Sequence, residues 1–321
     1  MLILSADDVD RALTFPSLVE TLRAAFKAGA IQPVRHHHTI ERPDGAASTL
    51  LLMPAWTDLG AAGTSDGGYI GVKVVTVSPD NNAVGKPAVM GVYLLLDGRT
   101  GETKALIDGQ RLTLWRTASA SALAADYLAR KDASKLLIVG AGALSPFLAR
   151  AHSAVRPIRE IRIWNRTAAN AEKAVAKLAD LGLSATVAED LDAALGWADI
   201  VSAATITTIP LVKGALLKPG THVDLVGAFT PTMRESDDEA IRRARVYVDT
   251  RAGATKEAGD IVQALASGVL TPEAIVADLH ELARGEKKGR ESADEITLFK
   301  SVGAALEDLA AAVAVFGASG R

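Results

Sequence analysis

Residues 136–145 read LLIVGAGALS, and this stretch decides the fold of the 321-residue chain. Its four leading apolar residues predict a buried strand, and a GxGxxG-type loop with serine in the third position follows. Gly140 suits the tight turn, and Gly142 lets the backbone approach a pyrophosphate, which then lies at the amino end of the next helix. Because the loop follows a predicted strand and precedes a predicted helix, the stretch predicts a dinucleotide-binding domain.

Beyond residue 131 the chain alternates between short apolar segments and segments with helical spacing. Strands alternating with helices in this way predict βαβ units and a parallel, doubly wound sheet, here with six strands. We predict strands over residues 136–139, 161–164, 185–187, 200–204, 221–226 and 246–248, and helices over residues 145–155, 168–181 and 189–195.

The N-terminal part follows a different pattern. Apolar residues at helical spacing predict helices between residues 5 and 28, and a run of short apolar segments predicts strands. The fold class is therefore α/β, with a Rossmann-type doubly wound parallel sheet and a smaller mixed α+β domain. These N-terminal strands are predicted over residues 48–53, 70–77, 89–96 and 103–107.

Two long alanine-rich segments complete the prediction. Residues 112–130 contain few β-branched side chains and predict a helix, and residues 298–316 predict a closing helix. We expect residues 1–117 with 296–321 to form a substrate-binding and dimerisation domain, and residues 118–295 to form the dinucleotide-binding domain.

Composition excludes several classes of function. The chain has no cysteine and a net charge of −3, so thiolate sites are absent and nothing favours a nucleic-acid partner. The N-terminal segment carries Asp7, Asp8 and Asp10, where a signal peptide needs a basic start. Its apolar runs are shorter than the ~18 residues of a membrane span. We expect a cytoplasmic protein that does not contact a membrane.

The residues after the second predicted Rossmann strand bear on the cofactor. An NAD site places a carboxylate there to bind the ribose 2′-hydroxyl, and that carboxylate repels a 2′-phosphate. This chain has Asn165 followed by Arg166, whose guanidinium can grip a phosphate. The pair favours NADP(H) over NAD(H), which stays open as the alternative. The alternative interpretation is that Arg166 is a solvated loop residue without a ligand.

Two cations stand where stability alone does not explain them. Lys73 lies in a predicted strand that is apolar on both faces, so a buried ammonium there needs an anion. Arg116 lies near the predicted start of a helix, where a cation opposes the helix dipole. A substrate carboxylate would account for both, while a structural ion pair for Lys73 and a surface position for Arg116 are the alternatives. The three histidines at 36–38 point in alternate directions on an extended segment, so we expect no metal.

Several short motifs follow one another along the chain in a characteristic order and spacing. They are Met53-Pro54-Ala55, Gly71-Val72-Lys73, Ser78-Pro79-Asp80-Asn81-Asn82, Gly85-Lys86-Pro87, Leu112-Thr113, Arg116-Thr117-Ala118, the glycine loop, Asn165-Arg166, Ala198-Asp199-Ile200, residues 227–231, Thr297, Phe299 and Ser301-Val302-Gly303. Together they resemble the ornithine cyclodeaminase/mu-crystallin family over nearly the whole chain.

The resemblance implies a homodimer whose first domain binds substrate, with the nicotinamide of the cofactor facing that domain. It also implies that Arg35, Lys73 and Arg116 hold a substrate carboxylate, with Lys73 and Arg116 catalytic. Asn82 is a polar candidate for a further substrate contact. The expected cofactor site consists of Gly140, Gly142, Ala143, Asn165, Arg166, Thr117, Thr205 and Val226.

The sequence departs from the cyclodeaminase pattern at two places. Phe229 stands where cyclodeaminases carry an aspartate, and a phenyl ring cannot be a general base. Residues 50–52 are leucines where those enzymes carry a glutamate. The chain looks instead like the bacterial branch that reduces the cyclic imino acids Δ1-pyrroline-2-carboxylate and Δ1-piperideine-2-carboxylate to L-proline and L-pipecolate.

Three alternatives stay open at this point. The chain resembles an alanine dehydrogenase-like enzyme in the same family, which would need ammonia. It also resembles a redox-neutral enzyme of the family, either an ornithine cyclodeaminase-like lyase or a hydroxyproline dehydratase, and Phe229 argues against the cyclodeaminase form. The third alternative is a non-enzymatic, NADPH-binding protein like lens crystallin, which would keep the glycine loop without requiring Lys73 or Arg116.

Overall fold

A computed structural model describes residues 1–58 and 67–320, with the backbone alone at Asn82. The chain forms two compact units. The first unit contains residues 1–116 and 304–321, and the second contains residues 117–303. Together they confirm the predicted α/β fold class, with a mixed α+β first unit and a parallel-sheet second unit.

The first unit is built on a six-stranded mixed sheet. Its strand order is β1-β6-β5-β4-β3-β2, with β1 parallel to β6 and the other neighbours antiparallel. The four predicted strands are present, and the structure adds the edge strands β1 and β2. The strands are Leu2–Leu4 (β1), His36–Ile40 (β2), Ser48–Trp56 (β3), Tyr69–Val77 (β4), Val89–Asp97 (β5) and Thr103–Asp108 (β6), and the helices are Ala6–Ala12 (α1), Phe15–Ala28 (α2) and, at the end of the chain, Ala305–Ala318 (α11).

Both faces of this sheet are apolar, but only one is fully covered. Helix α11 packs against β3, β4 and β5, and the side chains beneath it are buried. The opposite face carries a row of paired residues that runs from Pro54 through Val72 and Leu94 to Leu106. Each of these four side chains is half-buried. The second face is therefore an apolar surface that the rest of the first unit leaves partly open.

The second unit contains an eight-stranded, all-parallel sheet of order β13-β12-β14-β11-β10-β7-β8-β9. The chain order reverses at β7, which lies between β8 and β10 and so marks the switch point of a doubly wound sheet. The strands are Lys135–Val139 (β7), Glu160–Trp164 (β8), Thr186–Val187 (β9), Ile200–Ala203 (β10), His222–Leu225 (β11), Ala244–Val248 (β12), Ile275–Asp278 (β13) and Ile296–Lys300 (β14), and the helices are Ser145–Val155 (α4), Ala168–Asp180 (α5), Leu191–Trp197 (α6), Asp238–Arg243 (α7), Arg251–Glu257 (α8), Gly259–Ala266 (α9) and Leu279–Arg284 (α10).

The prediction of a closing helix from residue 298 is wrong at its start. Residues 298–300 belong to β14, which pairs in parallel with β11 on one side and β12 on the other. A short apolar run does not distinguish a buried strand from a buried helix, and here the two neighbouring strands decide. Residues 296–303 therefore fall in the second unit, and the sheet has eight strands instead of the predicted six.

Helix α3, Gly109–Leu128, is the longest helix in the described residues and runs from the first unit into the second. It begins three residues before the predicted start, and its alanine-rich middle is buried. Arg116 is its eighth residue, so the prediction that Arg116 lies near the amino end and opposes the helix dipole is wrong. Within residues 1–58 and 67–320, no helix is long and apolar enough to cross a membrane.

Candidate active site

The glycine loop connects β7 to α4 at the switch point of the parallel sheet. Gly140 has a φ of 108°, which an L-residue rarely adopts, and a Cβ there would lie 2.8 Å from the carbonyl oxygen of Ala204. A Cβ at Gly142 would instead project into open space, with no atom of the described chain within 4 Å. The first glycine is thus required by the turn, and the second leaves a space that a ligand can fill.

The backbone around that space is suited to an anion. Among the described residues, no acceptor bonds the N–H groups of Gly142, Ala143 and Leu144, which precede helix α4. The N–H groups at the start of a helix carry partial positive charge and point toward solvent or ligand. The lack of an acceptor in the described chain and the open space at Gly142 make these groups suited to a phosphate, the ligand that the motif predicts.

Asn165 and Arg166 follow β8, the neighbour of β7. The Oδ1 atom of Asn165 accepts a hydrogen bond from the N–H of Ala141 at 3.2 Å, so this side chain fixes the glycine loop. Its amide also donates to the carbonyl oxygen of Thr167 at 3.0 Å. Arg166 is exposed, and it forms no ion pair with any residue that the structure describes. Its guanidinium is available to a ligand beside the loop.

The other expected cofactor residues lie at different places in the second unit. Thr205 and Val226 follow the carboxyl ends of β10 and β11, on the far side of the switch point from Asn165. Thr205 donates from its N–H and its hydroxyl to Glu235, at 2.7 and 3.0 Å. Thr117 is buried in helix α3. The structure therefore places Thr205 and Val226 on the edge of the sheet that also carries the glycine loop.

Four charged side chains meet in the interior of the first unit. The Nζ atom of Lys73, in the middle of β4, lies 2.7 Å from Oδ2 of Asp308 in α11. The Nε atom of Arg116 lies 3.0 Å from Oδ1 of the same aspartate, and its Nη1 atom lies 2.9 Å from Oε2 of Glu307. Asp308 thus bridges the two cations, and all four side chains are buried.

This cluster changes the interpretation of Lys73. The sequence predicts that its ammonium needs an anion, and the structure supplies one from the chain itself. Burial and the charge of Arg116 lower the pKa of Lys73 to about 8, although Asp308 acts in the opposite direction. Burial opposes the ionisation of Asp308, but Arg116 and Lys73 outweigh it and hold its pKa below the usual value. Two cations and two carboxylates leave the cluster close to neutral.

Two predicted substrate residues remain. One lies close enough to Lys73 to affect its pKa, and the side chain of the other is not described by the structure. Arg35 is half-buried just before β2, and its charge also lowers the pKa of Lys73. His36 and His38 share one face of β2 with ring centroids 6.3 Å apart. The side chain of Asn82 lies outside the described residues, so its predicted role stays a prediction.

The sequence analysis did not identify the buried acidic residues in either unit. Glu307 and Asp308 lie next to each other in an otherwise apolar segment of α11, and two adjacent acids in such a segment were an available signal. Glu235 lies close after the family-like stretch at residues 227–231 and is fully buried, but no local pattern distinguishes it from a surface acid.

The parallel sheet, its switch point and its glycine loop define a protein of the Rossmann class. The model of the ornithine cyclodeaminase/mu-crystallin family matches residues 1–319. The chain therefore belongs to this family. It is 38% identical over 281 residues to a Δ1-pyrroline-2-carboxylate reductase of Paracoccus denitrificans, and the match covers 87% of this chain and 89% of that protein.

Solved structures agree with this assignment. The Δ1-pyrroline-2-carboxylate reductase of Thermococcus litoralis, in complex with NADH and L-proline, has a TM-score of 0.92 and 34% identity, covering 99% of this chain and 97% of that one. An archaeal alanine dehydrogenase dimer with bound NAD has a TM-score of 0.88 and 31% identity, covering 99% of this chain and 96% of that one.

The bridging role of Asp308 predicts strong energetic coupling to Lys73. Asp308→Asn should lower the free energy of unfolding by about 3 kcal/mol, because it leaves buried cations without their shared carboxylate. The double variant Lys73→Met/Asp308→Asn should lose less than the sum of the single variants, because it removes both ends of the pair. Urea unfolding of the wild type and the three variants measures this coupling.

An exposed ion pair provides the control for this cycle. Lys213 and Asp192 are 2.7 Å apart, with side chains 52% and 48% exposed. Their coupling should stay below about 1 kcal/mol, because water screens the charges. Additive losses at Lys73 and Asp308 would contradict the bridge.

Proposed function

We propose that this chain is an NAD(P)H-dependent oxidoreductase that reduces the C=N bond of small cyclic imino acids. Its substrates are Δ1-pyrroline-2-carboxylate and Δ1-piperideine-2-carboxylate, and its products are L-proline and L-pipecolate. The buried cluster of Lys73 and Arg116 carries the proposal, because it offers fixed cations to a small carboxylate. The relatives that act on Δ1-pyrroline-2-carboxylate support the same substrate class.

The reaction needs three contributions. A bound nicotinamide cofactor supplies a hydride to C2 of the imino acid. Arg116 and Arg35 hold the substrate carboxylate, because guanidinium N–H groups form charge-assisted hydrogen bonds with carboxylates. Arg116 uses Nε and Nη1 for Asp308 and Glu307, so its Nη2 atom remains for the substrate. The substrate ring nitrogen then takes up one proton.

Lys73 is the proposed source of that proton. Its ammonium has three N–H groups and an ion pair with a single carboxylate, that of Asp308 at 2.7 Å, so it has donors to offer the substrate as well. A pKa of about 8 lets the ammonium give up a proton near neutral pH, and Asp308 keeps it in place in both states. Lys73 is charged below this pKa and neutral above it, so turnover should fall as the pH rises through about 8.

The first experiment follows the loss of reduced cofactor with Δ1-pyrroline-2-carboxylate as substrate, without ammonium. We expect oxidation of the cofactor and formation of L-proline by the wild type, and a loss of at least about a thousandfold in Lys73→Met, the upper range for one proton-transferring group. Lys73→Arg keeps the charge but not the pKa, so any activity that it retains should not fall near pH 8.

A parallel reaction with pyruvate and ammonium distinguishes the second candidate function, an amino-acid dehydrogenase, from imine reduction. The similarity to an alanine dehydrogenase structure favours this reaction as the alternative. Turnover that requires ammonium, with none on the cyclic imine, would replace the proposal by an amino-acid dehydrogenase. Cofactor binding without turnover on either substrate would favour a non-enzymatic role. Near-normal rates in Lys73→Met would remove Lys73 from the chemistry.

We propose that the chain prefers NADPH over NADH, because Arg166 is exposed beside the glycine loop and position 165 carries no carboxylate. Arg166→Ala should weaken NADPH binding about tenfold or more while leaving NADH nearly unchanged, because one charge-assisted contact to the 2′-phosphate is lost. Lys173→Ala, an exposed cation in α5, is the matched control. Equal losses for both cofactors, measured by fluorescence titration, would disprove the 2′-phosphate contact.

We also propose that the chain forms a homodimer through the open apolar face of the six-stranded sheet. A face of this composition, only half-buried within one chain, is typical of an interface that water does not normally contact. Val72→Asp places a charge at its centre and should give a monomer in light scattering. Leu181→Asp, at a 45% exposed apolar position just after α5 in the second unit, should leave the mass unchanged. An unchanged mass for Val72→Asp would exclude this face.

A further inference from the structure

A buried glutamate connects the loops that follow strands β10 and β11. The Oε1 atom of Glu235 accepts hydrogen bonds from the N–H of Thr205 at 2.7 Å and from its hydroxyl at 3.0 Å. The Oε2 atom accepts from the N–H groups of Gly227 at 2.7 Å and Ala228 at 3.1 Å. Glu235 is fully buried, so one carboxylate sets the distance between two loops.

These loops pack closely on the glycine loop, with no room for extra side chains. A Cβ at Gly227 would lie 2.1 Å from the backbone nitrogen and oxygen of Thr205. A Cβ at Gly140 would lie 3.1 Å from Cγ2 of Thr205, which approaches from the other side. Thr205 is therefore the middle layer of a three-loop stack. A shift of Thr205 would change the loop at Gly227, whereas the glycine loop keeps its own hydrogen bonds, from the N–H of Gly140 to Trp164 and from the N–H of Ala141 to Asn165.

The three stacked loops lie on the side of the switch point where one half of a dinucleotide would bind. Dinucleotides bind across the carboxyl ends of the strands on both sides of the switch point, with the pyrophosphate on the first glycine loop. Asn165 and Arg166 follow β8 on one side, where the adenosine half belongs. Thr205 and Gly227 follow β10 and β11 on the other side. The nicotinamide half therefore extends over the loops that Glu235 holds.

A second carboxylate and one ammonium surround Glu235. The Nζ atom of Lys300, at the end of β14, lies 3.4 Å from Oε2 of Glu235 and 3.2 Å from Oδ2 of Asp260. Asp260 in turn accepts from the N–H groups of Glu235 and Ser236, at 2.9 and 2.8 Å. Two buried carboxylates share one cation. The remaining negative charge is stabilised by the loop N–H groups, which ties the charge of Glu235 to the loop geometry.

We propose that Glu235 is a positioning residue that shapes the nicotinamide half of the cofactor site by holding Thr205 and residues 227–228. It acts through these two loops and not by contact with the cofactor. This inference rests on the proposed function, because it requires a dinucleotide on this edge of the sheet. Its consequence is selective: the nicotinamide half depends on Glu235, and the adenosine half does not.

The chemistry of the four donors requires a carboxylate at this position. An ionised carboxylate accepts at both oxygens, whereas glutamine has one acceptor oxygen and one NH2 group that only donates. In Glu235→Gln, the NH2 group must face either Thr205 or the N–H pair of Gly227 and Ala228. One loop then loses its acceptor, and a buried N–H without a partner is costly. A variant of nearly the same size and shape therefore tests the proposal.

The experiment compares two ligands that differ only in the nicotinamide ring. Dissociation constants are measured by calorimetry for NADPH or NADH, whichever the wild type binds more tightly, and for the matching ADP-ribose fragment. Glu235→Gln should weaken binding of the dinucleotide about tenfold or more and leave the fragment within about twofold, since the lost bonds lie on one side of the switch point.

Asp199→Asn is the matched control, because Asp199 is also a buried carboxylate that accepts from two backbone N–H groups, those of Ser134 and Lys135. It lies at the amino end of β10, on the opposite edge of the sheet. We expect Asp199→Asn to leave the ratio of the two dissociation constants unchanged. A change of this ratio like that in Glu235→Gln would overturn the selective role.

The outcomes separate this inference from the proposed function. Equal weakening of the dinucleotide and the fragment by Glu235→Gln would show a general structural role and overturn the inference, as would no weakening of either. Absence of dinucleotide binding by the wild type would overturn the proposed function instead. If Glu235→Gln does not fold, Glu235→Asp keeps both acceptor oxygens but is one methylene too short to reach both loops. It should weaken the dinucleotide severalfold and leave the fragment unchanged, and equal losses would overturn the inference.

Discussion

The first unit depends on the ion pairs that Asp308 forms with Lys73 and Arg116 in its interior. Burying an ammonium and a guanidinium away from water is unfavourable unless carboxylates lie within hydrogen-bond distance of them. Helix α11, at the end of the chain, supplies these carboxylates to a strand and a helix that come much earlier. Asp308 and Glu307 thereby fix the positions of both cations within the chain itself.

The second unit uses the same physical device at the carboxyl edge of its parallel sheet. Glu235 accepts from two loops, and Asp260 and Lys300 complete the buried group. In both units one carboxylate joins parts of the chain that are distant in sequence and fixes their separation. Loops at the ends of parallel strands have few regular partners of their own, so a shared acceptor defines their positions.

Local patterns predicted most of the elements because their signals are local. The four apolar strands of the first unit, the glycine loop and helix α4 agree with the structure, since period, turn residues and caps act over a few neighbours. The apolar residues of strand β14 carry no period that separates a strand from a helix, so the sequence alone predicts a helix there. Its hydrogen bonds to β11 and β12, on either side, make this segment a strand.

The sequence by itself determined the α/β class, the Rossmann sheet, the loop at Gly140 and Gly142, and the need of Lys73 for an anion. Each follows from residue types at short spacing and from the cost of burying a charge. Only the tertiary structure decided which anion that is, where the units divide and which acids are buried. Asp308 and Glu235 act on partners far away in the chain, and such pairings are set by how the elements pack, not by any local pattern.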